Sequence, residues 1–174
     1  MSTTYNFTGY QNYGPIEEAL NDVYKVVLGK RALSYQIAVG EAVCNAARYS
    51  IVGMYDAEIK VSLAITRNEI ITTVSSKTKN FNALQYRKRL QLLAANPEIG
   101  PYSWGKYTGT SGASRGFWLM LQSCSRIVVD QNGDSIELAA SINPIEAMSI
   151  DPDAKRKVNV LVPRFFVKNN GVIK

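Results

Sequence analysis

Apolar and polar residues alternate between residues 58 and 66, where the apolar set is Ile59, Val61, Leu63 and Ile65. This is the period of a β-strand that buries one face. Arg67-Asn68 then predicts a tight turn into a second strand over residues 69–75. A short first strand is predicted over residues 5–8, so the chain is expected to begin its sheet early.

Two later regions carry similar strand signals. Residues 126–130 and 135–142 predict a hairpin, because the Asn132-Gly133 pair between them is a strong turn signal. Residues 158–167 are rich in Val, Leu and Phe and predict a further strand. Pro163 would confine that strand to a sheet edge or a bulge, because proline lacks the N–H that a ladder needs.

Helical periodicity separates these strands. Residues 15–30 predict an amphipathic helix with Pro15 in its first turn. A second helix is predicted from apolar residues at helical spacing, which are Leu33, Ile37, Gly40, Cys44, Ala47 and Ile51. With a third, apolar helix near residue 117, the order of elements predicts an α/β fold in the form of an α+β two-layer sandwich. Its mixed, mainly antiparallel sheet would be covered on one face by three helices.

Composition narrows the class of protein. The 174 residues predict one domain, and the 46% hydrophobic content is ordinary for a globular protein. There is no run of about 18 apolar residues and no secretion-signal pattern at the start, so we expect a cytoplasmic protein without membrane association. Cys44 and Cys124 predict buried thiols. Without histidine, and with two separated cysteines, zinc sites and histidine triads are excluded.

The net charge is +6, from 20 basic and 14 acidic residues. Basic side chains cluster at Arg87-Lys88-Arg89 and Lys155-Arg156-Lys157. Such clusters can contact phosphate backbones or acidic protein partners, but most are solvated surface. No nucleic-acid motif surrounds them, so charge alone does not predict a nucleic-acid binder.

Polar residues interrupt the apolar second helix on one face. Glu41, Asn45 and Arg48 are neighbours there, because residues four and seven apart lie along the same side of a helix. A carboxylate in this position could take a proton from water, and the amide oxygen beside it could hold a hard cation. The alternative is a narrow solvated helix face.

Residues 107–121 begin rich in glycine and hydroxyl groups and end apolar. Glycine lets the backbone approach a ligand closely, and the free amides and positive dipole end of a helix start favour phosphate. The alternative is an ordinary flexible loop that Ser114 caps.

These two segments, in this order, resemble the GHKL ATPase family, which includes histidine-kinase ATPase domains, Hsp90-type chaperones and the anti-sigma-factor serine kinases. Residues 41–50 are similar to the N-box, which implies that Glu41 is a general base and that Asn45 holds Mg²⁺. Arg48 lies in the same box and joins the cofactor-binding set. Residues 109–119 resemble the second glycine box, which implies that the phosphates of ATP are bound by Gly109, Gly112, Arg115 and Gly116.

One box departs from the family pattern. The family places Asp-x-Gly-x-Gly after its second long strand, where the aspartate receives the adenine amino group. The counterparts here are Ser76, Thr78 and Asn80. Exchange of a charged acceptor for a hydroxyl weakens one hydrogen bond by about 1 kcal/mol, and side chains at the two glycine positions occupy space near the nucleotide.

The resemblance covers residues 1–142 as the ATPase-like domain, with residues 82–108 as the counterpart of the ATP lid and a helical start through residues 84–93. The aromatic residues of this segment could cover a ligand, meet a partner or enter the core; they are Tyr86, Tyr102, Trp104 and Tyr107. Residues 143–174 are a C-terminal extension whose strand would serve dimer formation, partner binding or cover of the sheet.

The resemblance implies an ATP-binding regulatory protein, close to the anti-sigma serine kinases, with ATP and Mg²⁺ as cofactors and weak nucleotide binding. Such a protein would act on a regulatory protein partner, as a serine kinase or an ATPase. The alternative is a non-catalytic interaction module that kept the fold and lost its nucleotide. The changed box favours the second hypothesis, and the retained Glu41, Asn45 and Gly116 favour the first.

Overall fold

The computed structural model of the chain describes residues 1–79, 81–95, 114–143 and 161–173. Within these ranges the strands are β1 Ser2–Thr8, β2 Glu58–Ile65, β3 Glu69–Ser76, β4 Arg126–Asp130, β5 Ser135–Ser141, β6 Phe165–Asn169 and β7 Val172–Ile173. The α-helices are α1 Gly14–Leu28, α2 Ala32–Arg48, α3 Ala83–Ala94 and α4 Ser114–Ser123.

All seven strands belong to one sheet, in the order β1-β2-β3-β5-β4-β6-β7. Neighbouring strands are antiparallel except β4 and β6, which are parallel. The prediction of a mixed, mainly antiparallel sheet with helices is therefore confirmed. Both predicted hairpins are present, and Gly133 has the positive φ of 84° that the second turn requires.

One core lies between the sheet and the helices. Burial alternates along β2 and β3, so Ile59, Val61 and Leu63 point into this core as the alternation predicts. Helix α2 packs against β2, β3 and β5, while α4 packs against β4 and α3 against β6. The predicted helical start of the lid counterpart corresponds to α3, so four helices rather than three lie in the described part of the chain.

The buried side of α2 shares only Ala47 with the apolar row from which the helix was predicted. Leu33 and Ile37 of that row are 65% and 43% exposed. The buried side is formed instead by Tyr35, Ala38, Val39, Ala42, Val43, Ala46 and Ala47. Apolar residues lie on both sides of α2, so periodicity identifies the helix but not the side that faces the sheet.

A buried group of hydroxyls joins α1 and α2 to the sheet. The Tyr35 hydroxyl donates to the Leu138 carbonyl oxygen at 2.8 Å and lies 3.1 Å from Thr72 Oγ1. The Tyr24 hydroxyl lies 3.1 Å from the same Thr72 oxygen, and the two tyrosine rings meet edge to face. Every polar atom in this group has a partner, so the group costs the core little.

Burial of ionisable groups predicts that the protein loses stability in alkali. Burial raises the pKa of Tyr13, Tyr24, Tyr35, Tyr86 and Cys124. Their folded pKa values exceed the unfolded ones, so the contribution of the tyrosines is complete below about pH 9 and that of Cys124 below about pH 8, and each falls as the unfolded state deprotonates. Each such group should lower the free energy of unfolding by about 1.4 kcal/mol per pH unit above its unfolded pKa.

Urea unfolding at several pH values between about 8 and 11 measures this loss. The Tyr35→Phe variant should show a shallower fall than the unmodified chain, because one of the raised groups is gone. A free energy of unfolding that stays constant over the alkaline half of the range would contradict the prediction.

The strand of the C-terminal extension differs from its prediction. It begins at Phe165 rather than near residue 158, and residues 158–160 lie outside the described ranges. It is not the edge of the sheet, because β7 pairs with its far side. Pro163 lies in a 3-10 turn just before the strand, where no ladder hydrogen bond is lost.

In the described ranges, no helix has both the length and the apolar composition that crossing a membrane would need. The two cysteines are free. Cys124 is buried as predicted, whereas Cys44 is only half-buried.

Candidate functional site

A cavity of about 370 Å³ lies between α2, the end of β3, α4 and the β4–β5 hairpin. Its volume is within the range of small-molecule sites, which is roughly 300–1,000 Å³. Most of its wall is apolar or aromatic, and the polar groups of the wall are few. The polar residues of the wall include Asn45, Ser76, Thr78 and Asp134.

Asn45 reaches this cavity from α2. The helix places it one turn after Glu41 on a half-buried surface, while its neighbours Ala42 and Ala46 pack inward. In the part of the chain that the structure describes, the Asn45 carboxamide makes no hydrogen bond. It is therefore an available oxygen ligand at the cavity wall.

Ser76 and Thr78 reach the cavity from the end of β3. Ser76 is only 8% exposed, and its Oγ has no hydrogen-bond partner among the residues that the structure describes. The Thr78 hydroxyl and backbone N–H both donate to Asp134 Oδ1, at 3.1 and 2.9 Å. Ser76 and Thr78, which both lie in the box that departs from the family pattern, therefore differ. The Thr78 hydroxyl is hydrogen-bonded to the hairpin, whereas the Ser76 hydroxyl has no partner among the described residues.

The β4–β5 hairpin closes the cavity through its turn. The Ser76 N–H donates to the Asp134 carbonyl oxygen at 3.0 Å, which joins the end of β3 to the hairpin. Phe81 lies so close to Gly133 that a Cβ there would sit 2.7 Å from the Phe81 Cβ. Glycine at this position is therefore required both for the positive φ and for the approach of Phe81.

Phe81, Tyr86 and Phe117 belong to an aromatic cluster and form part of the cavity wall. Tyr86 of α3 contacts Phe81, Phe117 and Phe165, with ring centroids 5.4, 5.1 and 6.1 Å away. Burial raises the pKa of the Tyr86 hydroxyl, so this ring is neutral at ordinary pH. The first aromatic residue of the lid counterpart thus lines the cavity, while Tyr102, Trp104 and Tyr107 lie outside the described residues.

Glu41 and Gly116 are brought together from distant parts of the sequence. Helices α2 and α4 pack side by side, and the Glu41 carboxylate lies directly against the Gly116 backbone. A Cβ at position 116 would overlap that carboxylate. The two sequence motifs therefore meet at the start of α4, where only glycine leaves room for the acid.

The remaining predicted residues divide into two groups. Arg48 is exposed, donates to Cys44 Sγ at 3.6 Å and does not line the cavity. Asn80, Gly109 and Gly112 lie outside the described residues, and the side chain of Arg115 is likewise not described.

Sequence reasoning missed one polar residue of this site, Asp134. Its only signal was its position directly after the Asn132-Gly133 turn, which placed it at the start of a strand rather than in a motif. The fold gives it a role because β3 and β5 are neighbours, so the end of one faces the start of the other.

The described residues contain no group of three or more His, Cys, Asp or Glu side chains that could hold a metal ion.

Comparison with protein-family models and with curated proteins finds no match for this chain. The relation to the GHKL ATPases accordingly stays a prediction from the two sequence boxes.

Proposed function

We propose that this chain is an ATP-binding regulatory protein, similar to the anti-sigma serine kinases, that binds its nucleotide weakly. One observation carries the proposal. The cavity has an apolar and aromatic interior, and the side chains of two polar wall residues, Asn45 and Ser76, make no hydrogen bond within the described part of the chain. An apolar pocket with a few convergent polar groups is the usual form of a small-molecule site.

The arrangement supports a division of the cavity between base and phosphates. The aromatic cluster and Val74 offer flat apolar surface for a heterocyclic base. The start of α4, beside the cavity, is the proposed phosphate end, because helix N-termini favour anions; the Glu41 carboxylate lies against Gly116 there and would have to move aside for a phosphate.

Asn45 fits the role of a magnesium ligand, since no described residue bonds its carboxamide and an amide oxygen suits a hard cation. Bound Mg²⁺ would neutralise phosphate charge. Glu41, beside Gly116, would take a proton from water or from a serine hydroxyl of the substrate protein. Among the described residues, none makes a hydrogen bond or ion pair to the Glu41 carboxylate.

Weak binding follows from the changed box. Ser76 offers a neutral hydroxyl where the family has a carboxylate, and the Thr78 side chain occupies the wall where the family has glycine.

Calorimetric titration and thermal melting with ATP test the proposal. With Mg²⁺ present, ATP should bind and raise the melting temperature, and chelation of the metal by EDTA should reduce both effects. Absence of any heat or melting shift at millimolar ATP with Mg²⁺ would reject nucleotide binding.

A second function, a protein-interaction module without nucleotide, is favoured by one surface feature. Apolar side chains are exposed in the loop after α2, at Tyr49, Ile51, Val52 and Tyr55. Contiguous exposed apolar surface often marks contact with another protein. A regulatory partner or a second copy of the chain could cover it, and light scattering of the purified protein distinguishes a dimer from a monomer.

A further inference from the structure

The chain after α2 pairs with the chain after β3 in a short antiparallel ladder. The Lys79 N–H donates to the Tyr49 carbonyl oxygen at 2.7 Å, and the Ile51 N–H donates to the Lys77 carbonyl oxygen at 3.1 Å. Tyr49 is therefore opposite Lys79, and Ile51 is opposite Lys77. Residues that are opposite each other in an antiparallel pair lie within side-chain reach.

The outer residues of this ladder are exposed, whereas its centre is not. Tyr49 and Ile51 are 43% and 55% exposed, and the two lysine side chains opposite them are exposed as well. Ser50 and Thr78 form the central bridge and are buried and half-buried, respectively. The exposed surface of the ladder thus combines an apolar side chain with an ammonium group in each of two opposite pairs.

The turn that follows the ladder extends this apolar surface. Val52 and Tyr55 of the turn are 55% and 73% exposed. The backbone of the turn is held by the chain after β1, because the Tyr10 N–H donates to the Met54 carbonyl oxygen at 3.2 Å and Gln11 Nε2 donates to the Tyr55 carbonyl oxygen at 3.3 Å. A backbone that is already fixed lowers the entropy cost of binding a partner.

The surface is also positively charged. Residues 48–55 and 76–79 contain three cations and no carboxylate. The cations are all exposed, and none forms an ion pair with another described residue; they are Arg48, Lys77 and Lys79. The carboxylate of Asp134 accepts hydrogen bonds from Thr78 at the centre of the ladder, and Asp56 comes only after the turn. We call this surface the apolar–basic face; it consists of Arg48, Tyr49, Ile51, Val52, Tyr55, Lys77 and Lys79.

Charge decides which partner fits the apolar–basic face. A second copy of the chain fits poorly, because the chain carries 20 basic and 14 acidic residues and a symmetric contact would place like charges together. A lipid surface suits an apolar side that is set apart from its basic residues. Here each lysine of the ladder lies directly opposite an apolar side chain, so the two kinds of contact are interleaved. A protein segment with interleaved acidic and apolar residues matches this arrangement.

We infer that the apolar–basic face docks an acidic segment of a partner protein, in which carboxylates alternate with apolar side chains. The carboxylates would meet the two ladder lysines and Arg48, and the apolar side chains would pack on the tyrosines and aliphatic residues of the face. This inference rests on the proposed function, because it gives the chemistry of the partner of that regulatory protein. It does not require a bound nucleotide.

Fluorescence anisotropy with the full chain and a labelled peptide, in the absence of nucleotide, tests the inference. The probe is a short synthetic peptide in which glutamate alternates with leucine. A peptide with lysine in place of glutamate, and one with serine in place of leucine, should each bind about tenfold or more weakly than the probe. Added sodium chloride should weaken the binding of the probe, because salt screens exposed charges.

Charge reversal on the face should weaken the probe. Lys77→Glu combined with Lys79→Glu should raise its dissociation constant by about tenfold or more. Lys88→Glu combined with Arg89→Glu is the matched control, because both residues are exposed on α3 and the net charge changes by the same amount. The control should keep the affinity within about threefold.

Removal of an apolar side chain should act independently of charge. Ile51→Ser should weaken the probe by about 3- to 10-fold, because apolar contact with the partner is lost. Its melting temperature should stay near that of the unmodified chain, since Ile51 is more than half exposed. Leu33→Ser is the control, because Leu33 is 65% exposed on α2 and does not belong to the face. It should leave the affinity unchanged.

Sedimentation with vesicles of phosphatidylserine and phosphatidylcholine separates a protein partner from a lipid surface. The chain should stay in the supernatant. If it sediments with the vesicles and the double reversal at Lys77 and Lys79 releases it, the face binds lipid and the inference fails. Equal weakening of the peptide by the α3 control would show general charge attraction and would also overturn it.

The inference and nucleotide binding can fail separately. If the probe does not bind while ATP with Mg²⁺ raises the melting temperature, the inference fails and nucleotide binding stands. If the probe binds and both face variants weaken it while ATP has no effect, the inference stands and nucleotide binding is rejected.

Discussion

Removal of residues 144–174 should leave a chain that does not fold stably. The deletion removes β6, which pairs with β4 along its length and places Phe165 opposite Ile127 and Val167 opposite Val129. Phe165 is 1% exposed and Val167 is fully buried, so the deletion opens the core and leaves an unpaired strand edge at β4. Loss of one buried phenylalanine side chain alone costs about 3–5 kcal/mol, against a usual total stability of about 5–15 kcal/mol.

A point variant measures the same contribution in a chain of full length. Phe165→Ala should lower the free energy of unfolding by about 3–5 kcal/mol and the melting temperature by roughly 6–20 °C. Val172→Ala in β7 is the control, because Val172 is 57% exposed and should change stability little. If the deleted chain keeps its melting temperature, the C-terminal strand is not part of the cooperative core.

The strands of the sheet could be predicted where apolar and polar residues alternate along the sequence. In β2 the apolar period is two, with polar residues between, so the sequence identifies both the strand and its buried face. The Asn132-Gly133 turn similarly predicted the β4–β5 hairpin. Local chemistry determines these elements, which explains why sequence reasoning alone suffices for them.

The remaining features of the fold could not be predicted, because they depend on packing between residues far apart in the sequence. The parallel pairing of β4 with β6 depends on residues far apart in the sequence, and no local pattern indicates that β6 lies inside the sheet. Ala38 and Ala42 lie on the side of α2 that faces the sheet, and the sequence did not predict their burial. Small residues give a weak periodic signal, so the pattern does not indicate which side they form.

The candidate site was predictable only in part. Two boxes identified Glu41, Asn45 and Gly116, and the fold brings Glu41 and Gly116 into contact. Asp134 could not be found, because its significance comes from the neighbouring end of β3 rather than from its own sequence context. The unpaired state of Ser76 was likewise invisible in the sequence, since it depends on what the helices leave uncovered.

Asn45→Ala should abolish the stabilisation by ATP and Mg²⁺ while leaving the ligand-free protein almost unchanged. The Asn45 carboxamide has no hydrogen bond in the described structure, so its removal orphans no partner. In the unmodified chain, ligand at a hundredfold over its dissociation constant adds about 2.7 kcal/mol of stability. For a chain of this size that is a rise of roughly 5–11 °C in melting temperature, which Asn45→Ala should remove.

Gln36→Ala is the matched control for this variant. Gln36 is another half-buried side-chain amide of α2, but it donates to Glu17 at 3.4 Å and does not line the cavity. It should therefore keep the full ligand-induced rise. A loss of about 1–3 kcal/mol in the ligand-free Asn45→Ala protein would mean that Asn45 is a structural amide with partners. If the unmodified protein also shows no shift with ATP and Mg²⁺, the nucleotide hypothesis fails and only the fold remains.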